Sequence, residues 1–454
     1  LAKRQIINFI GDKISKYAYR GGAMFWDEKT ECLSRDEMTG IQLTSLKKTV
    51  KYAYENVPFY KRLFDEKGVR VEDIKMIEDI TLLPFTTKSD LRDNYPYGLC
   101  AVPQSDILRL HASSGTTGKP TPVFHTKRDL GNWVNCMARN CYMAGIRPDD
   151  VCQIAFGYTL FTGAFGHHYG VEKIGAMVIP TSSGHTERQI MMMQDFGTTV
   201  FHCTPSYAVT VAEKMSEMGV GKDSLSLRLS IHGAEPMTEE MRDEIEDKLG
   251  TLAIGDYGLT ELGGPGVSIE CPEKAGYHIN EDYFYPEIID PETLEPLPDG
   301  EPGELVFTTF QKEAMPVIRY RTRDISTLTR DRCGCGRTLI RHGAIKGRTD
   351  DMMIIGGVNL FPSQLESVML GFEEVAPQYE IHLGKKGRLD KVSVNVETVP
   401  DFWADAGEDK IAELTQKMEK KVKDLLGFGI DIRIVEPQSI PRSEGKAKRI
   451  VDDR

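Results

Sequence analysis

Between residues 150 and 260, short apolar runs alternate with amphipathic stretches at intervals of about 25 residues. The β-prone runs begin near Val151 (VCQIAFGY), Ala176 (AMVIPTS), Thr199 (TVFHCTPSY), Leu227 (LRLSIHGAE) and Thr251 (TLAIGDYG). Between them, residues 186–195, 207–218 and 238–249 carry helical patterns, and Glu239 and Glu240 suit a helix N-terminus. This alternation predicts βαβ units around a largely parallel sheet. Ligands on such sheets bind beyond the carboxyl ends of the strands. The turns GYTLFTG, TPSY, GAEP and DYGLTE are therefore where chemistry is expected.

The pattern changes after Pro265. Residues 277–310 are short β-prone runs broken by Pro-Asp-Gly and Glu-Pro-Gly, which predicts hairpins. The polar stretch from Gly347 to Asp351 (GRTDD) suits a linker, and Ser363 with Glu366 forms a capping box after Pro362. Ile411, Leu414, Met418, Val422 and Leu425 share one helical face that Gly427 can end. The expected class is α/β: a large domain of βαβ-built sheets with a β-rich subdomain over 1–346, a hinge at 347–350, and a small mobile α+β domain over 351–454. The start, LAKRQIINFIGDKISKY, reads as an amphipathic helix rather than a signal peptide. Its apolar residues (Ile6, Phe9, Ile10, Ile14, Tyr17) suit docking on this chain or on a partner.

Composition narrows the classes. With 454 residues, 40% apolar and 27% charged, the chain can bury sizeable cores in about two to four domains. No apolar run approaches the ~18–20 residues of a membrane span. A net charge of −12 argues against a nucleic-acid or anionic-membrane binder, but leaves room for a small anion at one site. Nine cysteines are too few for a disulfide scaffold, which suits a reducing, cytoplasmic location.

The densest chemical signal is the run Ser113, Ser114, Gly115, Thr116, Thr117, Gly118 and Lys119. Glycines let backbone approach a ligand, and hydroxyls, N–H groups and a lysine can cradle phosphates. It is not a Walker loop, because Ser113 stands where that spacing needs glycine and Pro120 follows the lysine. A second signal is Cys271, His278 and the Cys333-Gly334-Cys335 turn. Three thiolates and one imidazole complete a tetrahedral zinc shell with no open position, which predicts a structural rather than a catalytic metal.

The glycine-hydroxyl loop resembles the phosphate-binding loop of adenylate-forming enzymes. Gly233-Ala234-Glu235-Pro236, Asp256 to Glu261 (DYGLTE), Tyr320 to Asp324 (YRTRD), Gly347 to Asp351 and Gly445-Lys446 follow in the order used by that superfamily. Within it the chain resembles phenylacetate–coenzyme A ligases, through residues 84–96 (PFTTKSDLRDNYP), 161–163, 313–324 and 441–446 (PRSEGK). The resemblance implies ATP, Mg²⁺ and coenzyme A as ligands, an aryl acid as substrate, and a homodimer. It implies that Lys446 bridges carboxylate and α-phosphate, that Glu261 beside Thr260 holds Mg²⁺, and that Asp324 accepts the ribose hydroxyls. Gly233, Ala234, Glu235, Pro236, Asp256, Tyr257, Gly258 and Arg348 would complete the ATP site, with Tyr257 stacking on adenine. Asp350 takes the hinge position, and Gly356, Gly357, Val358 and Asn359 would line the pantetheine tunnel.

The acid pocket is expected from Phe156, Tyr158, Phe161, Gly163, His168 and Ala234, while His167 departs from the family pattern. The leading reading is formation of an acyl-adenylate followed by transfer to coenzyme A, with phenylacetate the first candidate. An adenylating enzyme serving a carrier-protein thiol or another acceptor remains open. So does a non-catalytic, zinc-stabilised nucleotide-binding protein.

Overall fold

The computed structural model describes residues 24–113, 120–349, 353–355, 358–360, 362–386, 389–426, 429–442 and 449–452. The amphipathic start lies outside them, as do residues 114–119, Asp350, Gly356, Gly357 and Lys446.

All five strands expected from the 25-residue rhythm are present: Val151–Ile154, Met177–Ile179, Val200–Cys203, Leu229–His232 and Leu252–Leu259. They pair in parallel, in spatial order 252, 229, 200, 151, 177. The joining helices bury their apolar faces on this sheet. Helix Pro205–Glu217 has Pro205 at its first turn and a Thr204 cap, and helix Glu239–Leu249 is capped by Thr238. The sheet does not end at the parallel set. Antiparallel strands Gly264–Glu270, Tyr277–Ile279, Arg341–His342 and Leu328–Thr329 extend it to nine strands. Local alternation cannot reveal this join, because a hairpin strand reads alike whichever sheet it enters.

The β-rich subdomain is a four-stranded antiparallel sheet of Phe284–Ile289, Gly303–Thr309, Tyr320–Ser326 and Gly347–Arg348. Arg319 braces it, giving 2.8 and 3.1 Å bonds to buried Glu287 and reaching the Leu83 carbonyl at 2.9 Å. The C-terminal unit is another four-stranded sheet, of Asp431–Val435, Leu389–Thr398, Val375–Lys386 and Ile450–Asp452. Helices Pro362–Leu370 and Glu408–Leu426 pack on it.

Two local expectations need correction. Ser363 lies inside the helix that begins at Pro362, so it is not the cap of a box; Glu366 is buried instead of exposed at a helix start. On the later helix, Leu414, Met418 and Val422 are buried as expected, but Leu425, near the helix's end, is exposed. No described helix is long and apolar enough to cross a membrane.

Candidate active site

The turns at the carboxyl ends of the parallel strands converge with the Tyr320–Ser326 strand on a cavity of about 480 Å³. Ala234, Glu235, Pro236, Asp256, Tyr257, Gly258, Asp324 and Arg348 line it, so the fold brings together eight residues expected at the ATP site. Gly233 stands just behind, where an added Cβ would lie 2.9 Å from the Asp256 carbonyl. Ala234 takes a positive φ of 71°, a conformation that side chains other than glycine adopt at a cost.

The Asp324 carboxylate is oriented from two sides. The buried Tyr257 hydroxyl donates to it at 2.7 Å and Arg348 donates at 3.3 Å. Arg321 and Arg323 both face Glu304. A carboxylate offers two oxygens as hydrogen-bond acceptors, the geometry a vicinal diol needs. The edge of the Tyr257 ring meets His342 at 4.8 Å, so part of this aromatic surface is already engaged by protein. Asp256 is enclosed, and burial pushes its carboxyl up to about 8.

Thr260 and Glu261 form a 3-10 turn beyond the Leu252–Leu259 strand. Buried Glu261 accepts from the Ser113 hydroxyl at 2.9 Å and faces Lys88 at 3.4 Å. Ser113 is where the described chain enters the glycine-hydroxyl loop, between the antiparallel strands Arg109–Ser113 and Thr121–His125. Ser114, Gly115, Thr116, Thr117, Gly118 and Lys119 lie outside the described residues. Sequence reasoning gave Lys88 no role. It sits at the first position of a helix capped by Thr87, a local pattern that does not announce a partner 173 positions away.

The residues expected at the acid pocket divide. Phe156 is buried and stacks on His167, with ring centroids 5.1 Å apart. Tyr158 bonds His168 Nδ1 at 3.0 Å, and His168 Nε2 meets Glu172 at 3.2 Å. Phe161 is 45% exposed, whereas Gly163 opens the following helix against Phe156. His167 enters a polar chain: its Nε2 lies 3.5 Å from Asp256, and its Nδ1 lies 3.1 Å from His202 Nδ1. Burial pushes His167 down to about 3, so it is neutral at physiological pH. Val358 and Asn359 lie on a short strand paired with Met353–Ile355.

The C-terminal unit also reaches the cavity. Pro362, Glu366, Tyr379, Arg449 and Ile450 line its other wall. Glu366 bonds Tyr379, and burial pushes it up to about 7, with Arg449 opposing and Glu235 and Glu240 adding to the shift. Its folded value is above that of an unfolded carboxyl, so the stabilisation is fully present below about pH 4.5 and lost as pH rises through about 7. Glu366→Gln removes this dependence. By calorimetry, its Tm should exceed that of the parent at pH 8 by a few degrees and vary less between pH 5 and 8; parallel pH profiles would refute the assignment.

Cys271, His278, Cys333 and Cys335 are all buried, and their ligand atoms lie within 4.8 Å of one another. The thiols of Cys271 and Cys333 are 3.7 Å apart, and Cys335 Sγ is 3.5 Å from His278 Nε2. Hydrogen bonds from the neighbouring thiols push Cys335 down while Cys271 is pushed up. Three thiols and one imidazole, all buried and within reach of one another, are the donor set that a tetrahedral zinc site uses.

The AMP-binding enzyme model matches residues 42–311, and the AMP-binding enzyme C-terminal domain model matches 357–454. The chain belongs to the AMP-binding enzyme family. It is 46% identical to the phenylacetate-coenzyme A ligase of Thermus thermophilus, over 95% of this chain and 100% of that one. It is 48% identical to the enzyme of the same name from Escherichia coli, over 93% and 97% of the two chains. Among solved structures, a 2-hydroxyisobutyryl-CoA ligase in the postadenylation state, with R3-HIB-AMP, superposes with a TM-score of 0.90 at 27% identity, covering 96% of this chain and 94% of that chain. The same ligase in the thioesterification state scores 0.71 at 28% identity over 95% and 93%.

Proposed function

We propose that this chain activates an aryl carboxylic acid, phenylacetate first among candidates, with ATP and passes the acyl group to coenzyme A. The observation that carries the reading is the oriented Asp324–Tyr257–Arg348 set in one cavity with the turn that leads to Glu261 and Ser113. The relatives named as phenylacetate-coenzyme A ligases support the acid and the acceptor.

In the first half-reaction a carboxylate oxygen attacks the α-phosphorus, and the bond to the pyrophosphate oxygen breaks. Two anions meet, and like charges 4 Å apart repel by ~4 kcal/mol at an effective dielectric of 20. In this reading Lys446 supplies the opposing charge, and the loop 113–119 holds the phosphates. In the second half-reaction a thiolate attacks the acyl carbon, and AMP leaves with the oxygen. Asp324 holds the ribose through both steps and Arg348 orients the Asp324 carboxylate. Phe156, Tyr158, Gly163 and His168 bound the acid, and Gly356, Gly357, Val358 and Asn359 line the thiol path, with the domains turning at Asp350.

Glu261 suits Mg²⁺, which takes one or two carboxylates together with substrate phosphates; the ion offsets phosphate charge when bound. Lys88 steadies that carboxylate in the ligand-free protein. The reading includes structural zinc at Cys271, His278, Cys333 and Cys335, a homodimer testable by light scattering, and a cytoplasmic location.

Asp324→Asn should raise KM for ATP about tenfold, the scale of one charged hydrogen bond, with little change in KM for the acid. The test of the whole reading is pyrophosphate release across a panel of aryl, arylacetic and short fatty acids, with and without coenzyme A. Product requiring both an arylacetate and coenzyme A supports it. Acid-dependent pyrophosphate release indifferent to coenzyme A would assign another acceptor, and silence across the panel would overturn it.

A further inference from the structure

The described residues on either side of 443–448 are anchored in the C-terminal domain. Before it, the Arg442 guanidinium spans the two oxygens of Glu397 at 2.9 Å each. Glu397 is buried in the C-terminal sheet and also accepts from the Gln438 amide at 3.0 Å and the Ile440 amide at 2.6 Å. After the loop, Arg449 lies over the Tyr379 ring at 4.3 Å, and its carbonyl accepts from Ile381 at 2.7 Å. These contacts fix the flanking residues, 438–442 and 449, to the C-terminal domain.

Arg442 also reaches across the domain boundary. Its Nε faces Glu213, on helix Pro205–Glu217, at 3.5 Å. Two polar contacts cross nearby: Gln438 donates to Glu217 at 3.2 Å, and Ser367 donates to Glu240 at 3.0 Å. A cavity of about 410 Å³ lies in the same boundary, lined by Ser206, Thr210, Arg442 and Arg449 among others. Leu370 also packs on the N-terminal core across this boundary, so the polar ties add to apolar contact. Burial pushes the Glu213 carboxyl up and Arg442 opposes that shift, as expected of a partly buried pair.

We infer that Arg442 is a positioning residue: its ion pair with Glu213 latches the C-terminal domain against helix Pro205–Glu217. The inference rests on the ligase reading for its kinetic consequence. The arrangement resembles the postadenylation state of the neighbour more than its thioesterification state. The latch therefore favours adenylation and must open before the thiol step.

Glu213→Gln breaks the tie across the boundary while leaving Arg442 on Glu397. Acid-dependent ATP–pyrophosphate exchange should fall about three- to tenfold, the scale of one partly buried ion pair. Thiolysis of supplied phenylacetyl-adenylate by coenzyme A should be unchanged or faster. Arg442→Lys, which keeps charge without the planar fork, should show a smaller loss of exchange with the same split. Equal losses in both half-reactions, or none, would overturn the latch. Small-angle X-ray scattering on the nucleotide-free protein gives an independent reading: Glu213→Gln should increase the radius of gyration, and an unchanged curve would overturn the latch. Should the parent show no acid-dependent exchange, the ligase reading fails, and scattering alone decides the latch.

Discussion

Lys446→Ala should slow acyl-adenylate formation at least ~10²-fold, the usual cost of removing one stabiliser of developing charge. Thioester formation from supplied acyl-adenylate should survive far better, because no phosphate–carboxylate encounter remains in that step. Pre-steady-state pyrophosphate release and single-turnover thiolysis measure the two half-reactions separately. Lys446 lies outside the described residues, but Arg442 and Arg449 bracket its loop, and Arg449 lines the nucleotide cavity. Equal loss in both half-reactions would mean that Lys446 serves folding or domain position instead.

The second large effect is expected at the four-residue cluster. Purified protein should carry close to one zinc per chain. Cys335→Ser, or exhaustive chelation, should bring the metal to near zero and lower Tm by roughly 5 °C, the scale of losing about 4 kcal/mol in a domain of this size. The physical reason is long-range closure. Cys271 follows the Gly264–Glu270 strand, His278 lies on Tyr277–Ile279, and the Cys333–Cys335 turn lies between the two outermost strands of the nine-stranded sheet. A metal there ties that edge together, and removing it leaves buried thiols sharing charge in a dry site. Metal analysis alone can sink the idea, since a zinc content near zero in protein purified without chelators would leave nothing for the substitution to remove.

Much of the site was legible because its chemistry is written in short stretches at strand ends. The runs at 229–236 and 252–261 show both the strand and the turn that follows, so the placing of Ala234, Glu235, Asp256 and Tyr257 around one cavity follows from parallel-sheet topology. The Cys/His cluster was legible for another reason: thiols and imidazole are rare donors, and the turn Cys333-Gly334-Cys335 brings two of them together.

Other contacts had no local signature. Nothing near Lys88 points to Glu261, and nothing near Arg442 points to Glu213, because each pair joins elements far apart in the chain. The Ser363–Glu366 spacing instead suggested a surface helix cap. Packing on the N-terminal domain turned Glu366 into a buried carboxyl of the nucleotide cavity. The His167–Asp256 contact was equally hidden: the sequence marked His167 as unusual but could not show which buried acid it would meet.

The sequence by itself determined the βαβ rhythm, the separate C-terminal unit and the residue types able to handle phosphate, ribose and metal. Periodicity, turn chemistry and donor identity are properties of neighbouring residues. The tertiary structure decided how the hairpin strands joined the parallel sheet and which carboxyls lost their water. It also decided which arginine spans the domain boundary, because desolvation and ion pairing depend on distances that arise only when remote segments pack.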